Sequence, residues 1–207
     1  MIIWHTRGRT LPRHTRQQET IMKPYRNLVL AFAAIALVFT APVEGFQLGG
    51  KEIAQKGTGA RKMAFLTVYY ATLYLPAELK DADAGAIIDA DAPMSIVMKI
   101  DSGLVKKDSF VSAVRGGFDK AAAAGYRTAS VQQYLALFDT LTIVKGDVFY
   151  QNYVPKQGLT VVYKSAASGQ TSTLGTIAAP DCKKAFFAMF IGSNPIDAGL
   201  KKGMLGK

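Results

Sequence analysis

Two histidines, His5 and His14, and one cysteine, Cys182, are the whole stock of imidazole and thiol in the 207 residues. Both histidines sit close to the N-terminus, so the rest of the chain can hold neither a Ser-His-Asp triad nor a histidine-ligated zinc or haem. One cysteine permits no internal disulfide and no Cys-x-x-Cys site. Cys182 falls in a helical pattern, where a small thiol packs like any apolar residue. No metal and no cofactor is expected, and whatever chemistry the chain performs falls to charged and phenolic side chains.

The elements that would position such side chains begin only after a leader. Met22-Lys-Pro-Tyr-Arg26 is a short positive stretch, followed by an uncharged apolar run from Leu28 to Phe39. As a helix those twelve residues would span about 18 Å, short of the roughly 30 Å hydrocarbon core of a bilayer. Small residues follow at Thr40, Ala41 and Gly45. Positive start, short apolar stretch and small-residue exit form the secretory pattern, with cleavage expected between Ala41 and Gly45. Residues 22–45 therefore read as a signal peptide and residues 1–21 as an upstream mis-start. The arginines at 7, 9, 13 and 16 are never adjacent, so no twin-arginine signal is present. The expected location is periplasmic or secreted, with no stable membrane span after processing.

Charge separates along the same boundary. The first 45 residues hold six of the 25 basic and two of the 15 acidic residues, which leaves 19 against 13 and a net charge of +6 in place of +10. Mild basicity favours anionic surfaces or ligands. The basic residues are scattered, so nucleic acid is not an expected partner. Residues 46–207 suit one domain, without a linker or internal repeat.

Within that domain strands come first. Phe46-Gln-Leu-Gly-Gly reads as a strand closed by a Gly-Gly turn. Ala64–Leu75 is rich in aromatic and β-branched residues and stops at Pro76, and Met94–Ile100 is a further apolar strand. The period then changes: Phe110, Val114, Phe118 and Ala122 recur every four residues and predict a helix over 108–124. Ser130 with Gln133 suggests a capping box before a second helix carrying Tyr134, Leu135, Phe138 and Leu141. A hairpin over 147–154 and 159–164, a strand over 172–177, and a third helix from Pro180 to the stop at Gly192 follow. Pro195 opens a short terminal helix. Strands, two helices, strands, then helices predict an α+β fold with helices on one face of a sheet.

Two segments carry a resemblance. Gly57-Thr-Gly-Ala-Arg-Lys62 followed by Val68-Tyr-Tyr-Ala-Thr-Leu-Tyr-Leu75 is similar to the early β segment of chalcone isomerase-like proteins, in an exported bacterial form. The tail from Phe186 through Ile191-Gly-Ser-Asn-Pro-Ile-Asp197 to Gly206 resembles their closing helices. The resemblance implies an open-faced β-sandwich: a large antiparallel sheet, a helical layer on one face, and a ligand cleft between them.

It also implies positions for a site. The plant enzyme of this family, which closes chalcone to flavanone, uses an arginine, a threonine, a tyrosine, a lysine and an asparagine. Arg61 falls at the arginine position and Tyr69 at the threonine position, while Ser102, Val105 and Ser109 stand where tyrosine, lysine and asparagine would be. No tyrosine occurs anywhere from 102 to 124, so no catalytic residue is assigned. Arginine with tyrosine instead resembles the fatty-acid-binding branch, whose pair holds the lipid carboxylate. Guanidinium offers a planar donor fork matched to carboxylate, and a phenol adds a third donor. Phe65, Leu73, Phe110, Phe118, Phe186 and Met189 are candidate pocket linings. Eight residues along a straight strand would separate Arg61 and Tyr69 by about 26 Å, so they meet only if the chain reverses near Met63-Ala64. The expected function is non-catalytic binding of a fatty acid or similar amphipathic carboxylate. An isomerase or lyase-type enzyme and a ligand-free envelope interaction protein are the alternatives.

Overall fold

Side chains alternate between buried and half-buried along the whole of Val148–Val154, with Phe149, Gln151 and Tyr153 on the inner face. That period of two is the mark of a strand covered on one side. Residues 45–207 are described by the structure, a computed structural model, and the leader predicted over 1–21 and 22–45 lies outside them but for Gly45. Seven strands form one antiparallel sheet in chain order: β1 (Gly45–Leu48), β2 (Lys51–Met63), β3 (Leu66–Leu75), β4 (Met94–Ile100), β5 (Val148–Val154), β6 (Gly158–Lys164) and β7 (Thr171–Ile177). Five helices accompany them: α1 (Ala84–Asp89), α2 (Lys107–Ala123), α3 (Val131–Ala136), α4 (Pro180–Ile191) and α5 (Ala198–Met204). The α+β class and the large antiparallel sheet are as expected.

An aromatic cluster joins helices to sheet. Phe110 stacks on Phe149 with ring centroids 5.4 Å apart, and Phe138 meets both at 5.2 and 5.6 Å. Tyr134 and Phe118 continue the cluster to Phe186 on α4. Each such ring removes about 150–250 Å² from water, which makes this cluster the main anchor of the helical layer. The described residues form one compact unit with this core inside it. Among the described residues no buried side-chain polar atom lacks a hydrogen-bond partner.

Several local expectations change. Ser130 does precede α3, but its side chain makes no capping bond, so the Ser130/Gln133 box does not form. The helix ends at Ala136, and Phe138 and Leu141 pack from the turns beyond it. On α2 the buried stripe passes through Ala121 rather than Ala122, following the 3.6 period more closely than a strict step of four. Pro195 lies ahead of α5, which begins at Ala198 with Asp197 as its N-cap. The third strand starts at Leu66, two residues after the expected Ala64, because Ala64 and Phe65 make a turn. Long β2 and short α1 fall outside the elements that the sequence pattern marks.

The Gly57-Thr-Gly59 motif has a packing role. A Cβ added at Gly59 would collide with the Leu200 carbonyl, and one at Gly57 with the Gly203 carbonyl. The missing side chains let the backbone of β2 lie directly against α5. The two segments that carry the family resemblance therefore touch, and their contact sets Asp197 beside β2.

Candidate functional site

The β2–β3 hairpin brings the two predicted binding residues together. Arg61 and Tyr69 are direct partners in the register of the pair. Directly opposite residues of an antiparallel pair have Cα atoms about 4.5–5.5 Å apart, instead of the 26 Å of a straight strand. The chain reverses without glycine or proline because Ala64 adopts the left-handed conformation, with φ of 52°. A register shift between Arg61 and Lys62 adds a bulge beside the pair. Bulges bend a strand and re-aim its side chains.

Arg61 is part-buried and anchored. Its Nη1 donates to Asp197 Oδ2 at 2.7 Å and to the Ile196 carbonyl at 3.2 Å. Asp197 Oδ1 meanwhile accepts from the Leu200 N–H at 2.8 Å, capping α5. Burial pushes the Asp197 carboxyl up, but the Leu200 N–H and the Arg61 guanidinium outweigh it and hold the group below the usual carboxylate range. Guanidinium carries five N–H donors, so Nη2 and Nε remain without a bond from the described residues. Tyr69 stands alongside with its phenol pKa raised: burial raises it most, the Arg61 charge lowers it, and Asp197 raises it again. Its hydroxyl stays protonated and is available as a donor throughout the physiological range.

Both residues line a cleft of about 580 Å³ between the sheet and α2 and α4, within the roughly 300–1,000 Å³ of small-molecule sites. Val68 and Met98 from the sheet, Phe110 and Val114 from α2, and Met189 and Phe190 from α4 form its walls. Gly117 lets α4 approach α2, since an added Cβ would meet Met189 Sδ at 2.5 Å and Ile196 Cγ2 at 3.2 Å. Lys120 is a second cation in the lining, its Nζ donating to the Pro195 carbonyl at 3.3 Å. Of the expected lining residues, Phe110 and Met189 do face the cleft. Leu73, Phe118 and Phe186 are buried in the core behind it, and Phe65 projects fully into solvent from the hairpin tip. Periodicity marks a residue as buried but cannot distinguish a cavity wall from solid core. Ser102, Val105 and Ser109 also line the cleft. Ser102 accepts from the Leu104 N–H at 3.1 Å and keeps its own O–H, while Ser109 donates to the Lys106 carbonyl at 2.8 Å and accepts from the Lys106 N–H at 3.2 Å, which commits it to the loop leading into α2. Asp197 was not foreseen as a site residue. The one available signal was its place as an N-cap candidate ahead of Gly199 and Leu200.

A family model described as chalcone isomerase-like matches residues 40–206. The chain belongs to the chalcone isomerase-like family. Among solved structures, this chalcone isomerase-like chain is similar to the fatty-acid binding protein AtFAP1 of Arabidopsis thaliana. The match has a TM-score of 0.59 at 18% identity, covering 78% of this chain and 96% of that one. At that identity the likeness shows a shared fold. A search of curated proteins found no match. Among the described residues Tyr69 is the only tyrosine lining the cleft of this family member, and the loop and helix that face it, residues 102–124, contain none.

Proposed function

We propose that this chalcone isomerase-like protein is a non-catalytic binder of a fatty acid or similar amphipathic carboxylate, held by Arg61 and Tyr69. The observation that carries the reading is their side-by-side placement on the wall of an otherwise apolar cleft. The unbonded edge of the guanidinium offers two donors to a carboxylate, and the Tyr69 hydroxyl a third. The apolar walls take the chain, and Lys120 tips the local charge positive despite the Arg61–Asp197 pair. The fatty-acid binding function of AtFAP1 supports this choice of ligand class. Ser102, Val105 and Ser109, standing where the plant enzyme has tyrosine, lysine and asparagine, supply no acid–base group for ring closure. Chalcone mixed with the protein should therefore close at its spontaneous rate, followed by loss of chalcone absorbance.

Calorimetry of fatty-acid binding tests the clamp. Arg61→Ala should remove a charge-assisted contact of about 1.5–3 kcal/mol, weakening binding about 10- to 150-fold. Arg61→Lys should also weaken it, because a point charge cannot reproduce the fork. A fatty alcohol of equal length keeps the apolar contribution and lacks the anion, so wild type should prefer the acid and Arg61→Ala should lose that preference. Equal acid affinity in wild type and Arg61→Ala would remove the clamp. Export is part of the same proposal, supported by the leader pattern over 22–45: N-terminal sequencing of the extracytoplasmic protein should read from Pro42 or Phe46. A chain that retains Met1 or Met22 there would overturn the export reading.

A further inference from the structure

At one end of the sheet three neighbouring connections lie side by side, with the β6–β7 turn beyond them. These are the β2–β3 hairpin tip, the loop from β4 into α2, and the segment entering β5, since Tyr69 pairs with Ile100 and Lys99 with Val148. That end holds most of the large apolar side chains left in water. Phe65 is fully exposed at the tip, flanked by Met63 at 63% and Leu66 at 43%, and Leu104 is 75% exposed on the neighbouring loop. Val144, at 38%, extends the patch along the segment before β5. Single exposed apolar residues are ordinary, but a cluster of this kind marks an interaction surface. Met63, Leu66 and Leu104 also line the cleft, so the patch is its rim.

Cations surround it. Lys62, Lys99, Lys106, Lys107, Lys145 and Lys164 lie on the strand ends and connections of this end, against Asp101, Asp108 and Asp139 as acids that reach solvent. Among the described residues only Lys145 makes an ion pair, a weak one with Asp101 at 3.9 Å, while Lys107 Nζ donates to the Asp139 carbonyl at 3.0 Å. Lys106, Lys107 and Lys145 border a second hollow beside the Leu104 loop.

We propose that this end docks on an anionic lipid surface, the Phe65 hairpin entering the interfacial layer and the lysines meeting the headgroups, so that the cleft opens toward the membrane. An apolar tip within a basic ring matches the two components of such a surface, acyl chain boundary and negative headgroup. The inference rests on the amphipathic-carboxylate reading, because a lipid acid would then enter by the rim without crossing bulk water. A protein partner would have to match both features at once, and a second copy would bring lysines against lysines.

The chain's only tryptophan is Trp4, and the test uses the full chain in a Trp4→Phe background. Phe65→Trp therefore makes the hairpin tip the sole source of indole emission. Phosphatidylcholine vesicles containing phosphatidylglycerol should shift that emission to the blue, and brominated acyl chains should quench it. Pure phosphatidylcholine should do neither, and salt should reverse the effect. In co-sedimentation, Phe65→Glu and the double change Lys62→Glu with Lys145→Glu should each lower partitioning by about tenfold or more. Unchanged emission on anionic vesicles, or equal partitioning of wild type and Phe65→Glu, overturns the proposal. So does self-association in sedimentation that Phe65→Glu abolishes while vesicle binding is absent. Fatty-acid calorimetry without vesicles separates the two readings: Phe65 lies outside the cleft lining, so Phe65→Glu should bind acid as wild type does. Docking without acid binding would fail the function and leave the surface standing.

Discussion

The two ends of the sheet use charge in opposite ways. At the cleft end lysines stand largely unpaired around exposed Phe65 and Leu104. At the other end Glu78, Asp81, Asp83, Asp89, Asp91 and Asp181 are interleaved with Lys51, Lys80, Lys156, Lys183 and Lys184, and several of these charges are locked into structure. Lys183 on α4 is almost wholly buried there, its Nζ donating to the Ile88 carbonyl at 2.8 Å and the Ala90 carbonyl at 2.5 Å. The rings of Tyr153 and Phe187 lie 5.0 and 5.6 Å from that nitrogen. Tyr153 in turn donates to Asp91 at 2.5 Å. Lys184 pairs with Asp89 at 2.8 Å and Lys51 with Glu78 at 2.5 Å. One end consumes its polar groups internally to hold α1 on α4, while the other leaves them for something outside the chain. Stability should therefore be concentrated at the locked end and ligand affinity at the open one.

The largest expected effect lies at the locked end. Lys183→Ala would strand two buried carbonyls and empty the space beneath Tyr153, so unfolding free energy should fall by about 3–5 kcal/mol in chemical denaturation. Fatty-acid affinity of the remaining folded protein should be unchanged. A loss of stability below about 1 kcal/mol would mean that Lys183 is no lock. A pH effect follows from the same residue. Burial, and after it the neighbouring Lys184 charge, push the Lys183 amine down from 10.5 to about 8. Between these values the unfolded chain binds more protons than the folded one, so the contribution of Lys183 to stability rises as pH increases from about 8 toward 10.5. The neutral amine still carries two N–H donors for its two carbonyls. Lys183→Met, which keeps the bulk, should flatten this slope between pH 8 and 10 in a stability profile.

At the open end the expected changes are smaller and fall on affinity. Asp197→Asn keeps an oxygen for the Leu200 N–H and removes the competing charge from Arg61, so calorimetry should show fatty acid binding about tenfold tighter. Weaker binding would mean that Asp197 positions Arg61 rather than competing for it. The smallest effect is Tyr69→Phe, which removes one neutral donor at about 1 kcal/mol of binding energy while the ring keeps its packing. Its melting temperature should stay near that of wild type, and a large drop would assign Tyr69 to the core instead of the site.

Much of the fold follows from local pattern. The alternation of β5, the four-residue recurrence along α2, Pro180 at the start of α4 and Gly192 at its end each state their element within a dozen residues. The hairpin that assembles the site was less legible, because Ala64 takes a left-handed turn conformation that alanine seldom adopts. The Arg61–Asp197 pair spans 136 positions, and no local rule connects its members. Nor could period alone sort Phe110 onto the cleft wall and Phe118 into the core, or show that Phe65 is exposed.

By itself the sequence determined which chemistries are closed to the folded chain, since residues that are absent cannot be supplied by folding. It also determined the kinds of elements and their order, because backbone sterics and side-chain period act over a few neighbours. Tertiary structure alone decided which charges meet. Through-space electrostatics depends on distance across the fold, and two glycines on β2 bring α5 close enough to set Asp197 against Arg61. The gathering of unpaired lysines around the cleft rim has the same origin: an antiparallel meander sends alternate connections to alternate ends, so charges scattered along the chain meet in space.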